Sequence, residues 1–218
     1  MRCAYCQNFE TSQMNQGKET SEDELARIML KLQELGCHNV NLVSPTHFAP
    51  QIMKALAKAA DRMLQIPVVY NCGGYESVET LKLLEGAVDI YMPDAKYANS
   101  IKALKYSGVR NYAENMQAAL AEMHRQVGDL VLDASGLAVR GMIIRHLVLP
   151  GDAGNSEAII KFIATRISDE SYVNIMRQYK PCHNARNFPE INRMTTPEEY
   201  QKALDYASDI GLHRGLRN

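Results

Sequence analysis

Two spacings of apolar residues alternate along this chain. Leu25, Ile28, Met29, Leu32 and Leu35 fall on one helical face. Ser21 and Glu24 form a capping box ahead of them and Gly36 follows, so the pattern predicts a helix over 21–36. Residues 39–44 (NVNLVS), short, apolar and closed by Pro45, predict a buried strand. The alternation continues with a helix over 51–64, a strand over 68–72 bounded by Gly73-Gly74, a helix over 77–85 and a strand over 88–92. Helices near 100–106 and 112–126 come next. Residues 133–136 (DASG) carry turn chemistry between 130–132 and 137–139, a hairpin read as an insertion in the pattern. A strand over 142–149, a helix over 156–167 and a strand over 172–178 follow. A last helix is capped by Thr196, Pro197 and Glu199 and runs towards Ile210.

Strands separated by helices of this length are βαβ units, which makes the class α/β with a parallel sheet. Five parallel strands are too few to close an eight-stranded barrel, so the expected architecture is a partial TIM-type (β/α) barrel with a small hairpin. The run starts with a helix, as though a first strand were missing. Residues 1–218 read as one domain without repeats, and 180–195 is the longest irregular stretch.

Composition narrows the partners. With 46% hydrophobic and 22% charged residues among 218 and a net charge of -1, the chain has no positive field to gather nucleic acid or a membrane surface. Apolar runs fall short of the roughly 20 residues that cross a bilayer. The opening residues lack a secretory pattern, so a cytoplasmic location is expected. Five cysteines, an odd count, read as thiols or metal ligands rather than a disulfide framework.

In parallel α/β folds, functional groups leave the carboxyl ends of strands. Those positions here carry Ser44, Pro45, Thr46 and His47, then Asn71 to Glu76, then Asp94 and Lys96, and finally Gln178, Tyr179, Lys180 and Cys182. Arg145 and His146 interrupt an apolar strand. Alternation sends them to opposite faces, so one meets a cavity and the other covers a helix. Asp94 and Lys96 project to one side of an extended chain, as a structural ion pair or a ligand site. Cys3-Ala4-Tyr5-Cys6 fits half a zinc site, a redox pair or part of an iron–sulfur set.

Cys3-Ala4-Tyr5-Cys6-Gln7-Asn8 resembles the second half of the radical S-adenosylmethionine (SAM) signature C-x-x-x-C-x-Φ-C, with Tyr5 as the aromatic. Together with Asn41 to His47, Tyr70 to Glu76, Asp89 to Lys96, Arg145 to Gly151 and Asn174 to Tyr179, it is similar to the PflX-like branch of pyruvate formate-lyase activating-enzyme homologues. The resemblance implies a [4Fe–4S] cluster on Cys3 and Cys6, with the third cysteine expected two residues ahead of Met1 and the first strand upstream as well. It implies SAM contacts from Tyr5, Asp94, Lys96 and Arg145, with Ser44, Thr46, Asn71 and Gln178 in the same candidate binding set. The usual Gly-Gly-Glu motif is replaced by Ser44-Pro45-Thr46-His47, so recognition of the SAM amino group must differ. The implied activity is reductive SAM cleavage to a radical that abstracts hydrogen from a protein or small-molecule target, a glycyl radical enzyme being the protein candidate, with flavodoxin or ferredoxin as electron donor. The alternatives are an inactive or non-catalytic SAM- or protein-binding partial barrel, and zinc binding through Cys3, Cys6 and Cys182.

Overall fold

The computed structural model describes residues 1–14 and 16–216. Six strands form one sheet: β1 (Val40–Val43), β2 (Val68–Cys72), β3 (Ile90–Pro93), β4 (Val131–Leu132), β5 (Ala138–Leu147) and β6 (Tyr172–Met176). Five of them are parallel, in the order β1-β2-β3-β5-β6, as the strand–helix alternation predicts. Among the described residues β1 pairs with β2 alone, so the sheet is not closed. The helices are α1 (Phe9–Gln13), α2 (Glu22–Glu34), α3 (Ala49–Ala60), α4 (Val78–Leu83), α5 (Ser100–Ser107), α6 (Tyr112–Val127), α7 (Ser156–Phe162) and α8 (Pro197–Asp209).

The caps read from sequence form. Ser21 Oγ accepts from Glu24 N–H at 3.2 Å, and Thr196 and Glu199 make a reciprocal capping box at the start of α8. α7 ends sooner than its apolar face suggests, because Ile163–Ile167 widens into a π turn.

The hairpin is not an insertion. Its turn forms as read, with Asp133 Oδ1 accepting from Ser135 and Leu137 N–H, but its second arm runs without interruption into the following strand as the ten-residue β5. The first half of β5 lies between β4 and β3; its second half pairs with β6 over Ile143–Leu147. Gly141 allows this switch. Its φ is +111°, and a Cβ there would lie 2.3 Å from Asp129 O and 2.6 Å from Leu130 Cα.

Alternation along β5 and β6 separates two faces. Met142, Ile144, His146, Val173 and Ile175 are buried against helices, whereas Ile143, Arg145, Leu147, Tyr172, Asn174 and Met176 are only partly covered. This second, open face ends at the carboxyl edge of the sheet, where the candidate chemistry gathers. A separate cluster of Ala26, Met29, Val40, Ile52, Ala55, Leu56, Ala59 and Val68 cements α2 and α3 to β1 and β2.

Gly141→Ala should lower unfolding free energy by at least about 2 kcal/mol, since it adds a backbone clash to a strained φ. Urea unfolding of the variant against the parent chain measures this, and an unchanged midpoint would refute the close approach.

Candidate functional site

The opening residues form a tight turn, with Cys6 N–H on Cys3 C=O at 3.1 Å. Two elements hold it. The last carbonyls of α5, which a helix cannot satisfy internally, accept from the turn: Arg2 N–H reaches Ser107 O at 3.0 Å and Ala4 N–H reaches Tyr106 O at 2.7 Å. On the other side the loop after β6 clasps it. Asn184 N–H donates to Ala4 O at 2.8 Å, the Cys182 thiol lies 3.2 Å from Tyr5 O, and the Tyr5 and Tyr179 rings meet edge to face. Both turn sulfurs have a hydroxyl close by: Ser107 Oγ donates to Cys3 Sγ at 3.1 Å, and Ser12 Oγ lies 3.3 Å from Cys6 Sγ.

Next to this turn is a compact charge cluster. Asp94, just beyond β3, is ion-paired to Lys96 through Oδ2 and to Arg145 Nη2 through Oδ1 at 2.7 Å. Arg145 Nη2 also donates to Asn71 Oδ1 at 2.7 Å. The three charged side chains are only 15–23% exposed, so each needs the others. Burial acts to lower the Lys96 pKa, but Asp94 and then the nearby Cys3 outweigh it and leave the ammonium held above its ordinary value. The backbone here is tightly specified: a Cβ on Gly74 would lie 2.1 Å from Asp94 O, and Tyr112 OH accepts from Lys96 N–H while lying 2.9 Å from the carbonyls of Gly73 and Asp94.

The cluster has unused hydrogen-bonding capacity. Among the described residues Arg145 Nε and Asn174 Oδ1 are buried without a partner, and Asp94 Oδ1, although ion-paired, has no aligned donor. Arg145 and Asn174 are register partners on β5 and β6, so these atoms share the open face. Buried polar atoms without partners are costly unless a ligand completes them.

Sequence and fold comparisons bear on what that ligand is. The Radical SAM superfamily pattern matches residues 1–163. The chain belongs to the radical SAM superfamily. It is 33% identical over 221 residues to the uncharacterized protein MJ0674 of Methanocaldococcus jannaschii, covering 97% of this chain but 60% of that protein. The chain therefore spans less than two thirds of the curated relative's length. Its fold is similar to that of HydG from Carboxydothermus hydrogenoformans, an FeFe-hydrogenase maturase (TM-score 0.64, 12% identity, covering 97% of this chain and 48% of that one). Methylornithine synthase PylB has a similar fold too (TM-score 0.63, 12% identity, 95% and 58%). At such identity these structures speak for the fold alone.

Radical SAM proteins use a [4Fe–4S] cluster and SAM. The residues on the turn suit the first: two soft thiols on one loop, each near a hydroxyl, beside a cation. The open face suits the second, since SAM carries ammonium, carboxylate, hydroxyl and amine groups that match orphaned donors and acceptors. Among the described residues no three His, Cys, Asp or Glu side chains converge as a metal-holding group, so zinc on Cys3, Cys6 and Cys182 and a cluster alike find two ligands on this turn, and it is the family that favours the cluster.

The remaining candidates divide. Of the adjacent pair in β5, Arg145 faces the cluster, and His146 is fully buried on the helix side between Ala95 O (2.7 Å) and Ser156 Oγ (2.9 Å). Burial lowers the His146 pKa, keeping its ring neutral and structural. Tyr5 is buried within the turn. Thr46 does not reach the cluster; its hydroxyl donates to Glu76 Oε1 at 2.7 Å, and Tyr70 OH donates to Oε2 at 3.2 Å. Ser44 stands exposed at the end of β1 in the left-handed region (φ +54°). Gln178 is exposed with its amide on Met176 Sδ. Asn174 and Glu76 lie inside the quoted motifs but outside the candidate binding set. A polar residue inside the apolar strand YVNIM was the available signal for Asn174.

Asp94→Asn should cost about 2–3 kcal/mol of stability, because it leaves two largely buried cations without a counter-ion; chemical denaturation checks it. Burial pushes the Glu76 carboxyl up, against the partial pull of Thr46, Tyr70 and Cys72. A raised folded-state pKa means stability that is complete below the ordinary value of 4.5 and declines as pH rises through the folded value. Glu76→Gln, which removes the titrating carboxyl and keeps an acceptor for only one of the two hydroxyls, should flatten that decline in unfolding measured across pH 4–7. An equally steep decline in the variant would contradict the assignment.

Proposed function

We propose that this chain is the SAM-cleaving core of a radical enzyme of the activating type, acting on a protein such as a glycyl radical enzyme. Cys3 and Cys6 are two of the cluster's cysteine ligands, and Asp94, Lys96, Arg145, Asn71 and Asn174 line the SAM site. One observation carries the reading: a carboxylate held between two cations, with orphaned polar atoms, stands on the open face beside the cysteine turn. When bound, the cluster supplies the electron that divides SAM into methionine and a 5′-deoxyadenosyl radical able to abstract hydrogen.

The protein's part is placement. Lys96 and Arg145 offer donors to the anionic end of the substrate, while Asp94 and the two asparagines offer acceptors to its ammonium, hydroxyl or amine groups. Asp94 also prevents the two cations from repelling each other before SAM arrives. The turn is gripped from both sides, which fixes the thiols relative to that pocket. The motifs shared with activating-enzyme homologues support the protein target and a flavodoxin or ferredoxin donor. Free thiols at all five cysteines agree with a reducing, cytoplasmic setting.

The full-length protein, reconstituted without oxygen, should take up iron and sulfide and, given reductant and SAM, release 5′-deoxyadenosine. Cys3→Ala and Cys6→Ala should lose both cluster and product. Lys96→Met should keep iron yet cleave SAM at least about tenfold more slowly, the loss of one charge-assisted hydrogen bond. A wild-type protein that folds but takes up no iron and leaves SAM intact would end the proposal.

A further inference from the structure

Ser107, the last residue of α5, is fully buried, a setting in which a hydroxyl must be bonded. Its Oγ donates to Cys3 Sγ at 3.1 Å and lies 2.8 Å from Tyr97 OH, and Tyr97 OH lies 2.6 Å from Tyr5 OH. Each hydroxyl has one proton, so the order is determined. With the Ser107 proton on sulfur, Tyr97 donates to Ser107 and Tyr5 donates to Tyr97. A phenol ordinarily titrates at about 10, so both protons stay in place at neutral pH. The relay starts at the aromatic residue of the cysteine turn and returns to the turn's first thiol. It is also anchored by backbone, since Ser107 O accepts from Arg2 N–H at 3.0 Å.

We propose that Ser107 is a positioning residue that sets the electron affinity of an iron–sulfur centre ligated by Cys3, with Tyr97 and Tyr5 fixing the direction of its proton. This rests on Cys3 being a cluster ligand. A proton aimed at a ligand sulfur stabilises the extra negative charge of the reduced centre more than the oxidised one, so it makes reduction easier. Successive donors polarise each other, and the two phenols strengthen the last bond in the chain. A serine confined to hydrogen-bond satisfaction inside the fold would leave the redox behaviour of the centre unmoved.

The test is an anaerobic redox titration of the reconstituted full-length protein, followed by electron paramagnetic resonance, with iron content measured in parallel. Ser107→Ala should keep its iron and shift the midpoint potential to more negative values, Ser107→Thr should restore the parent value, and Tyr97→Phe should give a smaller negative shift. A loaded Ser107→Ala protein at the parent potential would overturn the inference. Should Ser107→Ala fail to load, Tyr97→Phe decides, because it leaves the serine hydroxyl in place: a negative shift supports the relay and an unmoved potential overturns it. A parent protein that takes up no iron would overturn the cluster assignment itself, and this inference with it.

Discussion

Asp94 held between Lys96 and Arg145 is the contact on which the candidate site depends. Three charges of limited exposure on one sheet face are costly apart and tolerable together. Holding them requires β3 and β5 to be neighbours in the register that brings Asp94 opposite Arg145, which the bridge between these residues secures. It requires a glycine at 74, where any side chain would strike the Asp94 carbonyl, and the Tyr112 hydroxyl that pins the Lys96 amide. The strand order is therefore a condition of the chemistry as much as of the core.

The cysteine turn depends on the same architecture from the other side. It belongs to no strand or helix, and its position comes from the C-terminus of α5 and from the loop after β6. Helix ends are suited to this, because their last carbonyls need outside donors. Satisfying them with Arg2 and Ala4 amides couples the turn to a helix that reaches the charge cluster through Tyr97 and its neighbours. The loop's contribution is softer: one backbone bond, one thiol contact and the Tyr5–Tyr179 edge-to-face contact, with Phe9 of α1 stacked on His183 beside them.

Much of the fold was legible because apolar spacing is a local property. The five parallel strands and the larger helices follow from it. The hairpin was misread as separate because Arg140 and Gly141 break the apolar run, and nothing local says that the strand continues through them under a different partner. α1 was missed because FETSQ is too short to show a period. At the site, one-sided spacing placed Asp94 and Lys96 together as an ion pair or a ligand site, and the ion pair forms; alternation narrowed Arg145 and His146 to one facing each way. The resemblance favoured Arg145, and the register with β6 and the Ala95 and Ser156 contacts give the physical reason. Thr46 was read as a ligand contact, and its hydroxyl donates to Glu76, a partner 30 residues away that no local pattern gives. Ser107 could not have been found, since 104 residues separate it from the sulfur it touches.

The central claim is spatial: the cysteine turn and the Asp94–Lys96–Arg145 cluster face a common small molecule. Electron paramagnetic resonance of the reduced full-length protein, recorded before and after adding SAM, tests this most directly. The account predicts an iron–sulfur signal whose shape changes on SAM addition in the parent protein, and a change displaced to much higher SAM concentration in Arg145→Ala. A signal indifferent to SAM, or one that responds identically with and without Arg145, would contradict it.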